Sequence, residues 1–202
     1  MTPTPSPSAP PTGRSAYRVT FGHLEVGQTA RRLLQDALDR NWVSEGPNVA
    51  RFEEGFAQRF AYRHAVATSS GTDAGIVALS ALMERGAQRG DEVITPALGF
   101  TATANCILAA GLVPKFVDVE LETLNLNPLA IEAAVTRRTR AVQVVHTMGK
   151  PCRMREILGV AQRHGLTVIE DCCEAHGASL NEQVVGSFGV MGLFSFYAAH
   201  LI

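Results

Sequence analysis

Apolar side chains along residues 28–41 (QTARRLLQDALDRN) fall at Ala30, Leu33, Leu34, Ala37 and Leu38, a spacing that places them on one face of a helix. Val49, Phe52, Phe56 and Phe60 continue that period through 48–60, after a WVSEGPN loop marked by Gly46 and Pro47. Further on the pattern changes character. Short runs of β-branched residues alternate with helical stretches. The runs predict strands at 64–68 (HAVAT), 92–96 (EVITP), 115–119 (KFVDV), 141–146 (AVQVVH), 166–171 (LTVIED) and 192–197 (GLFSFY). The stretches between them predict helices at 73–85, 100–111, 128–135 and 154–165, the second closed by Gly111. Strands separated by helices of this length imply βαβ crossovers. The fold class is therefore α/β, a mostly parallel sheet with flanking helices on both faces. No internal repeat interrupts the alternation.

Composition adjusts this picture at the edges. Residues 1–19, beginning MTPTPSPSAPPTGRS, are rich in Pro, Ser and Thr and predict a disordered tail ahead of a single domain over 20–202. The tail lacks the ~7–15-residue apolar core of a secretory signal. A formal net charge of −1 offers no basic face for a polyanion, so nucleic acid is not an expected partner. No apolar run approaches the ~20 residues of a membrane span. The cysteines are Cys106, Cys152, Cys172 and Cys173, the last two adjacent and poorly placed to pair with each other. They read as reduced thiols of a cytoplasmic protein.

In open sheets of this kind ligands bind beyond the carboxyl ends of the strands. Four features there carry candidate chemistry. Ser69-Ser70-Gly71-Thr72-Asp73 joins a strand end to a helix start, where unpaired N–H groups and the helix dipole favour phosphate; plain N-capping explains it equally well. Asp171 ends an apolar strand, where a carboxylate is costly without a partner; it either meets a protonated ring nitrogen or caps the next turn. Phe100 stands at a helix start and either stacks on a planar ligand or fills core. Ser195 lies within an apolar strand and His200 just past it, each open to a structural or a binding role.

Taken in order, these segments resemble the DegT/DnrJ/EryC1/StrS family of pyridoxal-phosphate (PLP) enzymes, which act on nucleotide-linked keto-sugars. The strings that carry the resemblance are WVSEGPNVARFE (42–53), SSGTDAGIVALSAL (69–82), GDEVITPALGFTATANCILAAGLVPKFVDVELETLNLNP (90–128), VVHTMGK (144–150), VIEDCCEAHGA (168–178) and FSFYAAH (194–200). The resemblance implies the large domain of the PLP-dependent transferase fold type I. It implies that Ser70, Gly71, Thr72 and Ser195 hold the cofactor phosphate, that Phe100 stacks on the pyridine ring, and that Asp171 pairs with the pyridine nitrogen. Glu174 falls in the same cofactor-binding segment, where aminotransferases of the family often carry Gln.

One position departs from the aminotransferases. Five residues after the serine of FSF they carry the lysine that forms the Schiff base with PLP; here it is His200, and imidazole forms no stable imine. That replacement resembles a branch of sugar 3-dehydratases. In that branch pyridoxamine phosphate (PMP), held without a covalent bond, condenses with the 4-keto group of a nucleotide-linked 4-keto-6-deoxyhexose. A base takes a proton from the cofactor's C4′ carbon and the C3 hydroxyl leaves. Histidine, with an unperturbed pKa of ~6.5, suits the base. One subgroup also carries a [2Fe–2S] cluster fed by a reductase, and Cys173 matches its first ligand position; the alternative is a buried, inert thiol. Leu201 departs from the dehydratases, which usually place a second histidine there. Family members extend well past the FSFYAAH segment and form their sites at a homodimer interface. By this resemblance the chain corresponds to a C-terminally truncated large domain without the small C-terminal domain. The alternatives to a dehydratase are a sugar aminotransferase and an inactive fragment or non-catalytic partner subunit.

Overall fold

The structure, a computed structural model, describes residues 26–42, 44–197 and 200. The expected tail at 1–19 and Leu201 lie outside the described residues. Two helices lead in, α1 (Gln28–Asp39) and α2 (Pro47–Phe60), the second with proline at its start and Ala61 in the left-handed region at its end. Then follow α3 (Gly71–Glu84), β1 (Glu92–Pro96), α4 (Thr101–Ala109), β2 (Val113–Val117), α5 (Pro128–Ala134), β3 (Thr139–Val145), α6 (Met154–His164), β4 (Thr167–Asp171), β5 (Ser179–Leu180), β6 (Gln183–Val184) and β7 (Met191–Leu193).

The main sheet has the order β2-β1-β3-β4-β7, and every pairing in it is parallel. Period-2 alternation divides its strands between two apolar layers. Val93, Ala141 and Ile169 face α3 and α4, meeting Leu79 and Ile107. Ile94, Val142, Val144 and Val168 face the opposite way onto α5 and α6, meeting Ile131 and Ile157. Both faces are covered, which is why these strands read as continuous apolar runs. The helices stop where their chemistry says they should. Asn127 caps α5 by accepting the Leu129 N–H at 3.0 Å, with Pro128 at the first position. Gly165 ends α6 at φ +65°, a conformation glycine adopts without strain. No described helix is long and apolar enough to cross a membrane.

Two expected strands differ. Residues 64–68 form no strand. They run past α2 with Val66 78% exposed, and the Ala67 N–H is held at 2.7 Å by the Glu53 carboxylate. A strand needs a ladder partner, and among the described residues none lies beside this segment. The strand expected at 192–197 is confined to Met191–Leu193. Its neighbour β4 ends at Asp171, paired with Leu193, so the ladder stops there. Phe194 and Phe196 instead join an aromatic cluster with Phe52, Phe56 and Tyr62. Between residues 61–71 and β7 lies a groove of about 970 Å³. The sequence pattern also missed the β5–β6 hairpin, whose turn residues Asn181 and Glu182 both have positive φ.

Candidate active site

The strand ends of β3, β4 and β7 meet at Asp171, which pairs in register with Val145 on one side and Leu193 on the other. Its carboxylate is oriented from two directions. Oδ2 accepts the Thr103 hydroxyl at 3.2 Å, and Oδ1 accepts the Cys173 N–H at 3.2 Å. Thr103 comes from the first turn of α4. The helix therefore does two things: it steers Asp171, and it holds Phe100 at its N-cap with the residue 77% exposed.

The start of α3 closes on the same place. Ser70 caps the helix by accepting the Asp73 N–H at 3.1 Å. The hydroxyls of Ser69 and Ser70 both donate to the Asp73 carboxylate and hold its pKa below the usual range. With those hydroxyls engaged, the first-turn N–H groups of Gly71 and Thr72 remain among the groups that can meet an anion. Gly71 is in close contact across the site. A Cβ there would stand 2.8 Å from Ser195 Cβ, 3.2 Å from Ser195 Oγ and 3.3 Å from Cys173 Sγ. Gly71, Cys173 and Ser195 thus form one cluster, tied to Asp171 through the Cys173 N–H.

His200 reaches this cluster from the other side. Its Nδ1 lies 3.4 Å from the Ser195 carbonyl oxygen, and its ring meets Tyr197 edge-on at 5.5 Å. A carbonyl can only accept, so Nδ1 is the donor in this contact. Glu174 lies apart from Asp171. It accepts the Met148 N–H at 2.8 Å and so fastens the turn after β3, where Met148 sits at φ +52°.

The sequence singled out neither His146 nor Glu170. Glu170 precedes Asp171, so alternation turns it to the opposite face of the sheet, where it is fully buried. Its oxygens accept the Gly186, Phe188 and Gly189 N–H groups at 2.8, 2.7 and 2.6 Å and meet His146 Nε2 at 3.1 Å. His146 Nδ1 accepts the Cys152 N–H at 3.0 Å, which leaves Nε2 as the protonated nitrogen donating to Glu170. With Cys172 these two residues are grouped closely enough to hold a metal ion. The lone pairs of His146 Nδ1 and of the Glu170 carboxylate are, however, already used in these hydrogen bonds. The group is a structural knot that pins the 186–189 loop. Cys173 is not part of it, and burial and then the Asp171 charge push its thiol up. The iron–sulfur expectation gains no support among the described residues.

His176 is a further unanticipated neighbour, although it stands in the VIEDCCEAHGA string. Both ring nitrogens are buried without a partner among the described residues, and the ring packs on Phe194 and Phe196 at 5.5 and 5.2 Å. Desolvation, followed by the charge of His200, lowers its pKa.

Comparison with known proteins identifies the family. The sequence profile of the DegT/DnrJ/EryC1/StrS aminotransferase family matches residues 25–202. The chain belongs to that family. It is 44% identical over 173 residues to the spore coat polysaccharide biosynthesis protein SpsC of Bacillus subtilis, covering 86% of this chain and 44% of that protein. An aminotransferase from Psychrobacter cryohalolentis superposes with a TM-score of 0.81 at 38% identity, over 86% of this chain and 44% of that one. The Escherichia coli GDP-4-keto-6-deoxy-D-mannose-3-dehydratase, solved with bound hydrated PLP, superposes with a TM-score of 0.84 at 32% identity, over 89% of this chain and 47% of that one. The chain thus spans less than half the length of each. The fold-type I architecture expected from the resemblance is present, and the relatives include both an aminotransferase and a 3-dehydratase.

Proposed function

We propose that the intact protein is a PLP/PMP-dependent dehydratase that removes the 3-hydroxyl of a nucleotide-linked 4-keto-6-deoxyhexose, with His200 as the base. The observation that carries this reading is His200 itself. It stands five residues after Ser195, where aminotransferases of the family carry the Schiff-base lysine, and its Nδ1 meets the Ser195 carbonyl.

The residues present fit the cofactor. Gly71 leaves a cradle that a Cβ would fill, bounded by Ser195, beside the first-turn N–H groups of α3; this suits a phosphate. Asp171 is a half-buried carboxylate already oriented by Thr103 and the Cys173 N–H, which suits a protonated ring nitrogen. The exposed ring of Phe100 is available to stack. When bound, the cofactor supplies an electron sink for breaking bonds next to the keto carbon. The chain's own residues set the conditions. Asp171 keeps the ring nitrogen protonated, the Gly71-Thr72 turn and Ser195 fix the phosphate end, and His200 takes up a proton on its imidazole. Glu174 acts at one remove, by fixing the turn after β3. The proposal includes a homodimer of the intact chain, which supplies contacts to the nucleotide and hexose.

The test is product analysis. The intact protein is supplied with PMP, glutamate and a nucleotide-linked 4-keto-6-deoxyhexose, and the sugar is identified by mass spectrometry and NMR. A 3-deoxy product is the expected result. An amino sugar overturns the proposal in favour of an aminotransferase, and no turnover with no cofactor absorbance favours a non-catalytic subunit.

A further inference from the structure

Beneath the site, the sheet contains polar atoms that its own packing does not satisfy. Thr95 on β1 and Gln143 on β3 are both fully buried. Among the described residues, Thr95 Oγ1 and both amide atoms of Gln143 have no hydrogen-bond partner. They belong to one locus. The pairing of β1 with β3 runs through Val93 with Ala141 and Ile94 with Val142, and continuing that register by one residue brings Thr95 beside Gln143. Alternation puts both on the side of Val93 and Ala141, the layer covered by α3 and α4. Gln143 pairs with Ile169 on its other side, two residues before Asp171 on the same face of β4. The two side chains therefore sit one layer below the Thr103–Asp171 pair.

Native interiors rarely leave such atoms unmet. One direct bond between the two side chains would use a single amide atom of Gln143 and leave the other orphaned. Both side chains are neutral, which argues against an ion. A water molecule donates twice and accepts twice, and a site with polar partners of both kinds is the sort that retains one. We infer that Thr95 and Gln143 bind an internal water beneath α4, bridging β1 and β3 under the floor of the site. The inference goes beyond the proposed reaction and does not depend on it.

Two measurements on the intact protein test it. A crystal structure at a resolution that shows ordered solvent is expected to reveal a peak about 2.7–3.2 Å from Thr95 Oγ1 and from a Gln143 amide atom. A direct Thr95–Gln143 bond with no peak, or a dry gap, overturns the inference. Urea denaturation gives the sign. With the water in place, Gln143→Leu strips it of partners and orphans the Thr95 hydroxyl, so the midpoint falls; adding Thr95→Val recovers part of the loss. If the locus is dry, Gln143→Leu removes two unsatisfied atoms, the midpoint rises, and the inference fails.

Discussion

Gly71 shows how a single missing methyl shapes the site. Its backbone would accept alanine, so the constraint is purely steric: the added Cβ would press on Ser195 Cβ at 2.8 Å, and that atom is no flexible tip that can swing away. Gly71→Ala is therefore expected to cost about 1–3 kcal/mol, as overpacking does, and to push Ser195 from the α3 N-terminus. Urea denaturation reads the first effect and loss of PLP absorbance on titration reads the second; an unchanged midpoint would refute the close packing. Glu170 poses the opposite problem, since it has too many donors to lose. Glu170→Gln must turn an NH2 toward backbone N–H groups whichever way the amide flips. Breaking a buried charged partner in this way costs about 3–5 kcal/mol. The expected result is a lower denaturation midpoint together with faster proteolysis within 186–189, and a midpoint within error of the parent would contradict the knot. Gly71 and Asp171 drew attention in the sequence because one stands at a helix start and the other at the end of an apolar strand. Glu170 and His146 did not, because their role depends on which face of the sheet they occupy and on three N–H groups more than a dozen residues away.

At the scale of elements, strands buried on both faces were easy to read. The β1 strand was anticipated at 92–96, where it lies, and the α5 and α6 helices were anticipated to within a residue of their ends. Residues 64–68 misled because periodicity reports one chain segment, whereas a strand is a relation between two. The clamp that fixes the start of the sheet was equally hidden. Glu92 opens β1 and accepts the Thr136 hydroxyl at 2.6 Å and the Thr139 hydroxyl at 3.2 Å, with Lys115 at 3.4 Å and Arg138 at 3.3 Å. It ties β1 to β2 and β3. The Thr136 hydrogen bond, helped by Lys115 and Thr139 and opposed by desolvation, lowers its pKa in the fold. A carboxylate whose folded pKa lies below its unfolded value, ~4.3 for glutamate, adds stability above that unfolded value. The contribution is lost as pH falls through the folded pKa. Urea midpoints measured from pH 7 down to pH 3 should therefore decline on the acid side, and Glu92→Gln should lower the neutral-pH midpoint while flattening that decline. An acid slope unchanged by the substitution would assign it to other carboxylates, Asp91 foremost, whose pKa is lowered by the Gln88 N–H and Arg140.

At the scale of the whole molecule, the five-stranded sheet has two edges of different character. The β2 edge carries Phe116, 55% exposed, beside Lys115, whose charge discourages pairing with another sheet. The β7 edge is three residues long and opens onto the groove whose far wall is the 61–71 segment. That wall offers Val66, 78% exposed, and backbone outside any strand, with the Ala67 N–H held by Glu53. An open strand edge is the feature through which sheets recruit strands from other molecules, and here an exposed apolar side chain faces it. Purified on its own, the 202-residue chain is therefore expected to associate as its concentration rises, through this groove. Val66→Lys puts a charge on the groove wall without touching Gly71, Asp171 or either apolar layer, so it should suppress association and leave the far-UV circular dichroism unchanged. Sedimentation velocity across a concentration series separates the outcomes. If the substitution leaves association as it was, the groove is not the route, and the exposed Phe116 edge becomes the surface to alter next.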